Sequence, residues 1–295
     1  MIIGIRWLAS VLAFGASVAS AQQVSNPLAG RWDAKTLVIG DAGPGCKFLD
    51  VTIQSYDLSP SMNNSVSGQY TRMFTRSWLT SKMSNCQLPG QHTNPEWLMR
   101  SDSWVLSSLS QGQGRQRITG TSIGCVGDCS DAAPNAPFAA TLRREGPLVI
   151  VSNEEPNSQG STRLRPQEDR LLDERTAADA FRSLLQPLID GDCNGFYVRS
   201  FDAVVQRTVD QGQFCVIASQ IKQIIPTVYG DRSMSSYAPT IATVPGAFGP
   251  ILMVDGDVLV RSLIVTTPGG GGLILPAVLR KQQDGSWRIL GLVTT

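Results

Sequence analysis

The side chains of this chain best suited to chemistry are its cysteines, six in 295 residues, and their setting favours cross-links over reactive thiols. Cys46, Cys86, Cys125 and Cys129 fall in the N-terminal half, Cys193 and Cys215 in the C-terminal half. Four cysteines allow three pairings. Cys46 with Cys86 and Cys125 with Cys129 is the expected set, because Gly124, Gly127 and Asp128 supply a tight turn between the latter two. Cys193 and Cys215 then pair with each other. A redox dithiol separates its cysteines by two residues at a helix start, whereas three residues separate Cys125 from Cys129 in a β-rich stretch. A structural zinc site needs four nitrogen or sulfur ligands, and His92 is the single histidine.

Other suggestive spacings lack the context their chemistry requires. Gly120-Thr121-Ser122-Ile123-Gly124 has the spacing of a nucleophile elbow. That elbow joins a strand to a helix and is followed by an acid and then a histidine; here no helical pattern follows and no histidine lies beyond position 92. Ser219 and Lys222 have the Ser-x-x-Lys spacing of penicillin-binding enzymes, without the Ser-Asp-Asn or Lys-Thr-Gly that completes the set. Glu154 and Glu155 are adjacent, so on an extended chain they point to opposite sides. Glycines 269–272 lack the Lys-Ser/Thr of a phosphate loop. His92 sits in a polar loop. No catalytic, cofactor-binding or metal-ligating set is expected.

Arg6, the apolar run at 8–18 and the small triplet Ala19-Ser20-Ala21 form the pattern of a secretory leader, residues 1–21, cleaved before Gln22. Glutamine at 22 offers no acceptor for a lipid anchor. No later stretch approaches the ~20 apolar residues of a spanning helix. The expected address is periplasmic or secreted, where thiols become disulfides. Charged residues make up 17% and hydrophobic ones 42% of the chain, and the formal net charge is +1. That balance suits a packed globule, and no Lys/Arg cluster points to nucleic acid or an anionic membrane.

Two patterns follow the leader. Residues 22–153 carry short apolar runs between Gly, Ser, Thr, Asn and Pro, the texture of an antiparallel all-β domain, either small barrel or sandwich. Strands are expected at 31–39, 49–56, 67–76, 103–109, 117–123, 138–143 and 148–151. Trp78, Trp97 and Trp104 are candidates for core packing or for lining a cavity. Gly30-Arg31-Trp32, followed by a strand and Ser67-Gly68-Gln69-Tyr70, resembles the opening strands of lipocalin-like and avidin-like barrels. Residues 154–170 are polar, contain Pro156 and Pro166, and read as a linker.

Helical spacing begins at Thr176, with Ala178, Phe181, Leu184, Leu185 and Leu188 on one stripe and Pro187 ending the helix near Gly191. Further helices are expected at 201–209 and from Phe214 to Pro226, then strands at 250–254, 258–266, 273–281 and 286–293. Asp255-Gly256 and Asp284-Gly285 are hairpin turns. Helices followed by a meander ending in Asp284-Gly285-Ser286-Trp287-Arg288-Ile289 resemble the NTF2-like (SnoaL-like) α+β fold over residues 171–295. The resemblance implies a curved sheet wrapping helices into a cone, with Tyr197, Asp202, Tyr229, Phe181 and Trp287 as candidates to line its cavity.

The expected function is a non-enzymatic exported binding or assembly module recognising an apolar small molecule, a lipid or an envelope protein. One alternative is an NTF2/SnoaL-like acid/base isomerase or hydratase using Tyr197, Asp202 or Tyr229. Another is an inhibitor or assembly factor acting through the β domain near Trp78 or Trp97. No cofactor is expected, and the oligomeric state is open.

Overall fold

The computed structural model describes residues 26–43, 46–80, 96–111, 114–130, 137–154, 160–224, 227–269 and 272–293. Eight antiparallel strands close into a barrel: β1 (Gly30–Asp41), β2 (Lys47–Pro60), β3 (Val66–Thr80), β4 (Glu96–Ser110), β5 (Arg115–Gly127), β6 (Phe138–Glu145), β7 (Leu148–Asn153) and β8 (Ser161–Pro166). Each pairs with its neighbour in sequence, and β8 returns to β1 with Trp32 opposite Pro166 and Asp33 opposite Arg165. Closure removes the exposed strand edges that a sandwich would keep. The first seven strands coincide with the apolar runs of the sequence. β8 buries only Leu164 and so carries no apolar alternation. The 154–170 segment, expected as a linker, thus supplies the closing strand and the first turn of a helix.

Trp32 and Ala34 of β1 and Tyr56 and Leu58 of β2 pack in the barrel interior. Trp32, Tyr56, Tyr70 and Trp104 stand opposite one another across β1 to β4. The Tyr70 ring lies 4.5 Å from Tyr56, 4.9 Å from Trp104 and 4.8 Å from Phe138, a stack that fills this section of the barrel. Gly120 leaves room for it: a Cβ there would meet Leu106 at 2.9 Å and the Trp104 and Phe138 Cβ atoms at 3.3 Å. The elbow-like motif therefore lies on β5, and its first glycine serves packing.

β8 passes directly into α1 (Gln167–Ile189), followed by the single turn α2 (Cys193–Gly195), a π-turn at Phe196–Ser200, α3 (Ala203–Thr208) and α4 (Gln211–Ile224). α1 starts at Gln167 rather than Thr176, because its first buried positions are Arg170, Asp173 and Glu174, charges that conceal the apolar period. Beyond Pro187 the helix ends with Gly191 at φ +77°. The Asp192 amide donates to the Pro187 carbonyl at 2.8 Å, closing the C-terminal turn. Strands β9 (Gly230–Tyr237), β10 (Ala242–Val244), β11 (Ile251–Met253), β12 (Val258–Val265), β13 (Gly272–Lys281) and β14 (Trp287–Leu292) complete the chain. β10 pairs with β11, and the other four form an antiparallel sheet in the order β14-β13-β12-β9.

That sheet is covered on both faces. Val258, Val260, Ala277, Leu279 and Ile289 pack on the helices with Phe181, Phe196 and Phe214. Leu259 and Val278 pack with Tyr237 and Met253 against Leu37, Leu49, Val51 and Leu79 of the barrel's outer wall. Double burial explains why β12 and β13 read as continuous apolar runs rather than alternating ones.

A buried charge ladder joins the barrel to α1. Asp33 and Lys35, two apart on the outer face of β1, are separated by about 6.8 Å of strand rise, close to the ~6 Å between helix positions four apart. They meet Arg170 and Glu174. Arg170 Nε lies 2.7 Å from Asp33 Oδ1, and the Arg170 side chain is fully buried. Lys35 Nζ donates to both Glu174 oxygens at 2.5 and 2.7 Å, and Glu174 also accepts the Ala238 amide at 2.9 Å. Arg170 Nη1 donates to the Ala238 carbonyl.

Lys35→Ala strands Glu174 as a buried charge and is expected to cost about 3–5 kcal/mol in urea unfolding. Lys35→Met combined with Glu174→Leu should recover most of that loss. Burial pushes the Asp33 carboxyl up to about 6, against the opposing pull of Arg170 and Lys35. The folded chain thus holds a proton that the unfolded chain releases near 3.8. The stability from this group is full below that value and is lost as pH rises through about 6. Acidification from about pH 7 to 5 should stabilise the wild type relative to Asp33→Asn, and thermal melts of both proteins across that range measure the difference.

Candidate functional site

Where the C-terminal half of α1 meets β9 and β12, a partly open cleft of about 410 Å³ has apolar walls of Leu185, Ile189, Val228 and Ile264. Arg182, Gln186, Tyr229 and Asp231 complete its lining. Tyr229 is 57% exposed, a large aromatic surface left in solvent beside the apolar walls. Arg182 donates from Nε to the Asp231 carboxylate and from Nη2 to the Asp231 carbonyl at 3.1 Å, tying α1 to β9. A small apolar recess of only about 10 Å³ adjoins it, adding Leu188, Leu275 and Lys222 to four shared wall residues. Lys222 Nζ donates to the Ile189 carbonyl at 2.6 Å, so its charge is spent on the last turn of α1.

Of the residues expected to line a cone, only Tyr229 borders this cleft. Tyr197 is buried, with its hydroxyl shared between the Gln206 and Val209 carbonyls at 2.7 Å each. Asp202 caps α3 by accepting the Val204 amide at 2.8 Å, and also accepts Gln282 Nε2 at 2.9 Å. Phe181 is fully buried in the helix–sheet core. Trp287 is buried there too and donates from Nε1 to Thr176 Oγ1 at 3.2 Å. These four are framework residues, each satisfied by its own neighbours.

The remaining sequence candidates also resolve into structure. Ser219 and Lys222 lie on α4, where Ser219 Oγ donates to the Cys215 carbonyl at 2.7 Å. Glu154 pairs with Arg117 at 2.8 Å, while Glu155 and His92 lie outside the described residues. Trp78 is buried beside Cys46 and Ile274, between barrel and sheet, and so offers no exposed docking patch. Trp104 belongs to the barrel's aromatic stack. Cys125 and Cys129 are bridged with Cα atoms 6.1 Å apart, and Cys193 and Cys215 with 5.6 Å. Cys46 is disulfide-bonded, and its expected partner Cys86 lies outside the described residues. Among the described residues no cluster of three or more His, Cys, Asp or Glu side chains could hold a metal ion.

No protein-family model matches the chain, and no curated protein matches it. Among solved structures it is similar to a β-barrel-like protein of a domain of unknown function, DUF1849, from Brucella abortus. The two are 8% identical, with 90% of this chain and 98% of that chain covered and a TM-score of 0.18. The barrel described above rests on this chain's own strand pairing.

A second cleft, of about 470 Å³, is rich in charged side chains. Arg165, Asp169 and Asp173 line it from β8 and α1, Asp255 and Asp257 from the β11–β12 turn, and Arg280 and Lys281 from β13. Asp173 accepts both Arg165 Nη2 and Lys281 Nζ at 2.9 Å, and Arg280 is bidentate to Asp257 at 2.8 and 2.6 Å. Sequence reading missed this cluster because its members are scattered between positions 165 and 281. It also missed the walls of the apolar cleft, whose Leu185 reads as ordinary core.

Two bridged cysteine pairs and the absence, among the described residues, of any helix long and apolar enough to cross a membrane accord with a protein of an oxidising compartment. The Cys193–Cys215 bridge ties α2 to α4. Replacing both with serine is expected to cost roughly 3 kcal/mol on the chain-entropy estimate, read as a lower midpoint in urea unfolding.

Proposed function

We propose that this protein is an exported, non-enzymatic binding module that takes an apolar small molecule or lipid chain into the mouth of an NTF2-like helix–sheet unit. The observation that carries the reading is the cleft between α1, β9 and β12, where the apolar side chains of Leu185, Ile189, Val228 and Ile264 meet an exposed Tyr229. Its volume of about 410 Å³ lies within the range of small-molecule pockets, roughly 300–1,000 Å³. An apolar ligand would displace water chiefly from Ile189, Val228 and Tyr229, since Leu185 and Ile264 are already buried, at about 25 cal/mol for each Å² of apolar surface covered. The polar groups around the cleft, Gln186 and Tyr229, would orient a polar end. The acid/base alternative loses support because Tyr197 and Asp202 are engaged with backbone and Gln282, away from this cleft.

The test is fluorescence of the apolar dye N-phenylnaphthylamine, with native mass spectrometry of the purified chain. Saturable dye uptake that Val228→Trp reduces at least tenfold, by filling the cleft, is the expected result. Tyr229→Ala should weaken uptake by a smaller factor. A wild-type chain that carries no apolar species and takes up no dye would refute the reading.

A further inference from the structure

We propose that Arg165 and Arg170 form a binding site for a carboxylate, occupied in this structure by the chain's own Asp255. Two buried guanidinium nitrogens, Arg165 Nη1 and Arg170 Nη2, have no hydrogen-bond acceptor among the described residues. Both face the same atom. Asp255 Oδ1 stands 3.6 Å from Arg165 Nη1 and 3.9 Å from Arg170 Nη2, outside hydrogen-bond range of each. Leaving such donors unmade in the interior costs more than a hydrogen bond contributes elsewhere, so the site gains when an acceptor approaches more closely.

Charge balance identifies the kind of acceptor. Arg170 is countered by Asp33, and Asp173 serves Arg165 and Lys281 together. The remaining donors of Arg165 and Arg170 share Asp255 as their counter-charge and hold it loosely, at 3.6 and 3.9 Å. An incoming carboxylate replaces Asp255 charge for charge, and its two oxygens can accept from one arginine each, as planar guanidinium–carboxylate recognition favours.

The surroundings permit the exchange. Asp255 is on the turn between β11 and β12, its side chain 35% exposed, and Gly256 beside it holds φ +100°. The turn borders the 470 Å³ charged cleft, which gives a ligand access to Arg165. The same cleft is lined by Asp169 and Leu172 from the first turns of the 23-residue helix α1, whose N-cap, Pro166, has no side chain to accept from the first amides. Glu168 and Asp169 already stand in that first turn and offset the positive end of the helix dipole, so the attraction for a carboxylate comes from the two arginines.

The test titrates sodium acetate, at ionic strength held constant with sodium chloride, into the full chain while NMR follows the arginine Nε–Hε resonances. The proposal expects saturable shifts in one or two of these resonances, affinity at least tenfold higher in Asp255→Asn than in the wild type, and loss of saturation when Arg165→Gln is added. Asp255→Ser replaces Asn if that variant fails to fold. Equal affinity with and without Asp255, or saturation that survives Arg165→Gln, overturns the proposal, as does a folded Asp255 variant that shows no saturable shift. Inorganic phosphate binding tighter than acetate would overturn the assignment to a carboxylate. A trialanine peptide binding with a free C terminus tighter than acetate would identify a chain end as the source, and a weaker one a small free acid; equal binding by the amidated peptide counts against the proposal.

Discussion

The pairing of Asp33 and Lys35 on the barrel wall with Arg170 and Glu174 on α1 is the constraint on which the rest of the molecule depends. A charge removed from water is tolerated only beside a partner at close range. The ladder therefore admits one register: a residue pair two apart on a strand against a pair four apart on a helix. A slip of one strand residue would turn Asp33 and Lys35 into the apolar barrel interior. With that register set, α1 lies along the barrel wall, its apolar stripe faces the second sheet, and the sheet's back is sealed by Leu37, Leu49 and Val51.

Both clefts follow from the placement of α1. Its C-terminal half stands over β9 and β12 at an angle that leaves Leu185 and Ile189 lining the apolar mouth. Its N-terminal turns lie beside β8, β13 and the β11–β12 turn, bringing Arg165, Asp173 and Asp255 together. The barrel contributes a wall rather than a vessel along the section occupied by Tyr56, Tyr70, Trp104 and Phe138, where stacked rings take the space a ligand would need. A Gly-x-Trp opening resembles that of ligand-holding barrels, yet Trp32 here donates to Leu28 at 2.9 Å and lies beneath Arg144 at 4.5 Å. Its role is to close one end of the packed interior.

Legibility in the sequence tracked the apolar pattern. Strands with alternating burial, such as Leu49, Val51 and Ile53 in β2, were readable because one face of each is wet or charged. β8 was not, since a strand closing a barrel beside a charge network carries arginines at the positions where a reader seeks valines. The start of α1 was hidden for the same reason: Arg170, Asp173 and Glu174 are buried by pairing with Asp33, Lys35, Arg165 and Lys281. Of the expected site residues, Tyr229 reached a cleft and Tyr197, Asp202, Phe181 and Trp287 became framework. Residue type alone does not distinguish a buried phenol poised for chemistry from one hydrogen-bonded to two carbonyls.

By itself the sequence determined most of the local elements, the turns and the order of β-rich and helical halves, because periodicity, proline and glycine act over a few neighbouring residues. The tertiary structure alone decided barrel closure, the burial of opposite charges against each other, and the meeting of Arg165 and Arg170 with Asp255. Those depend on contacts between residues far apart in the chain. Coulomb energy and burial are functions of distance in space, and distance in space is what a linear order of residues does not contain.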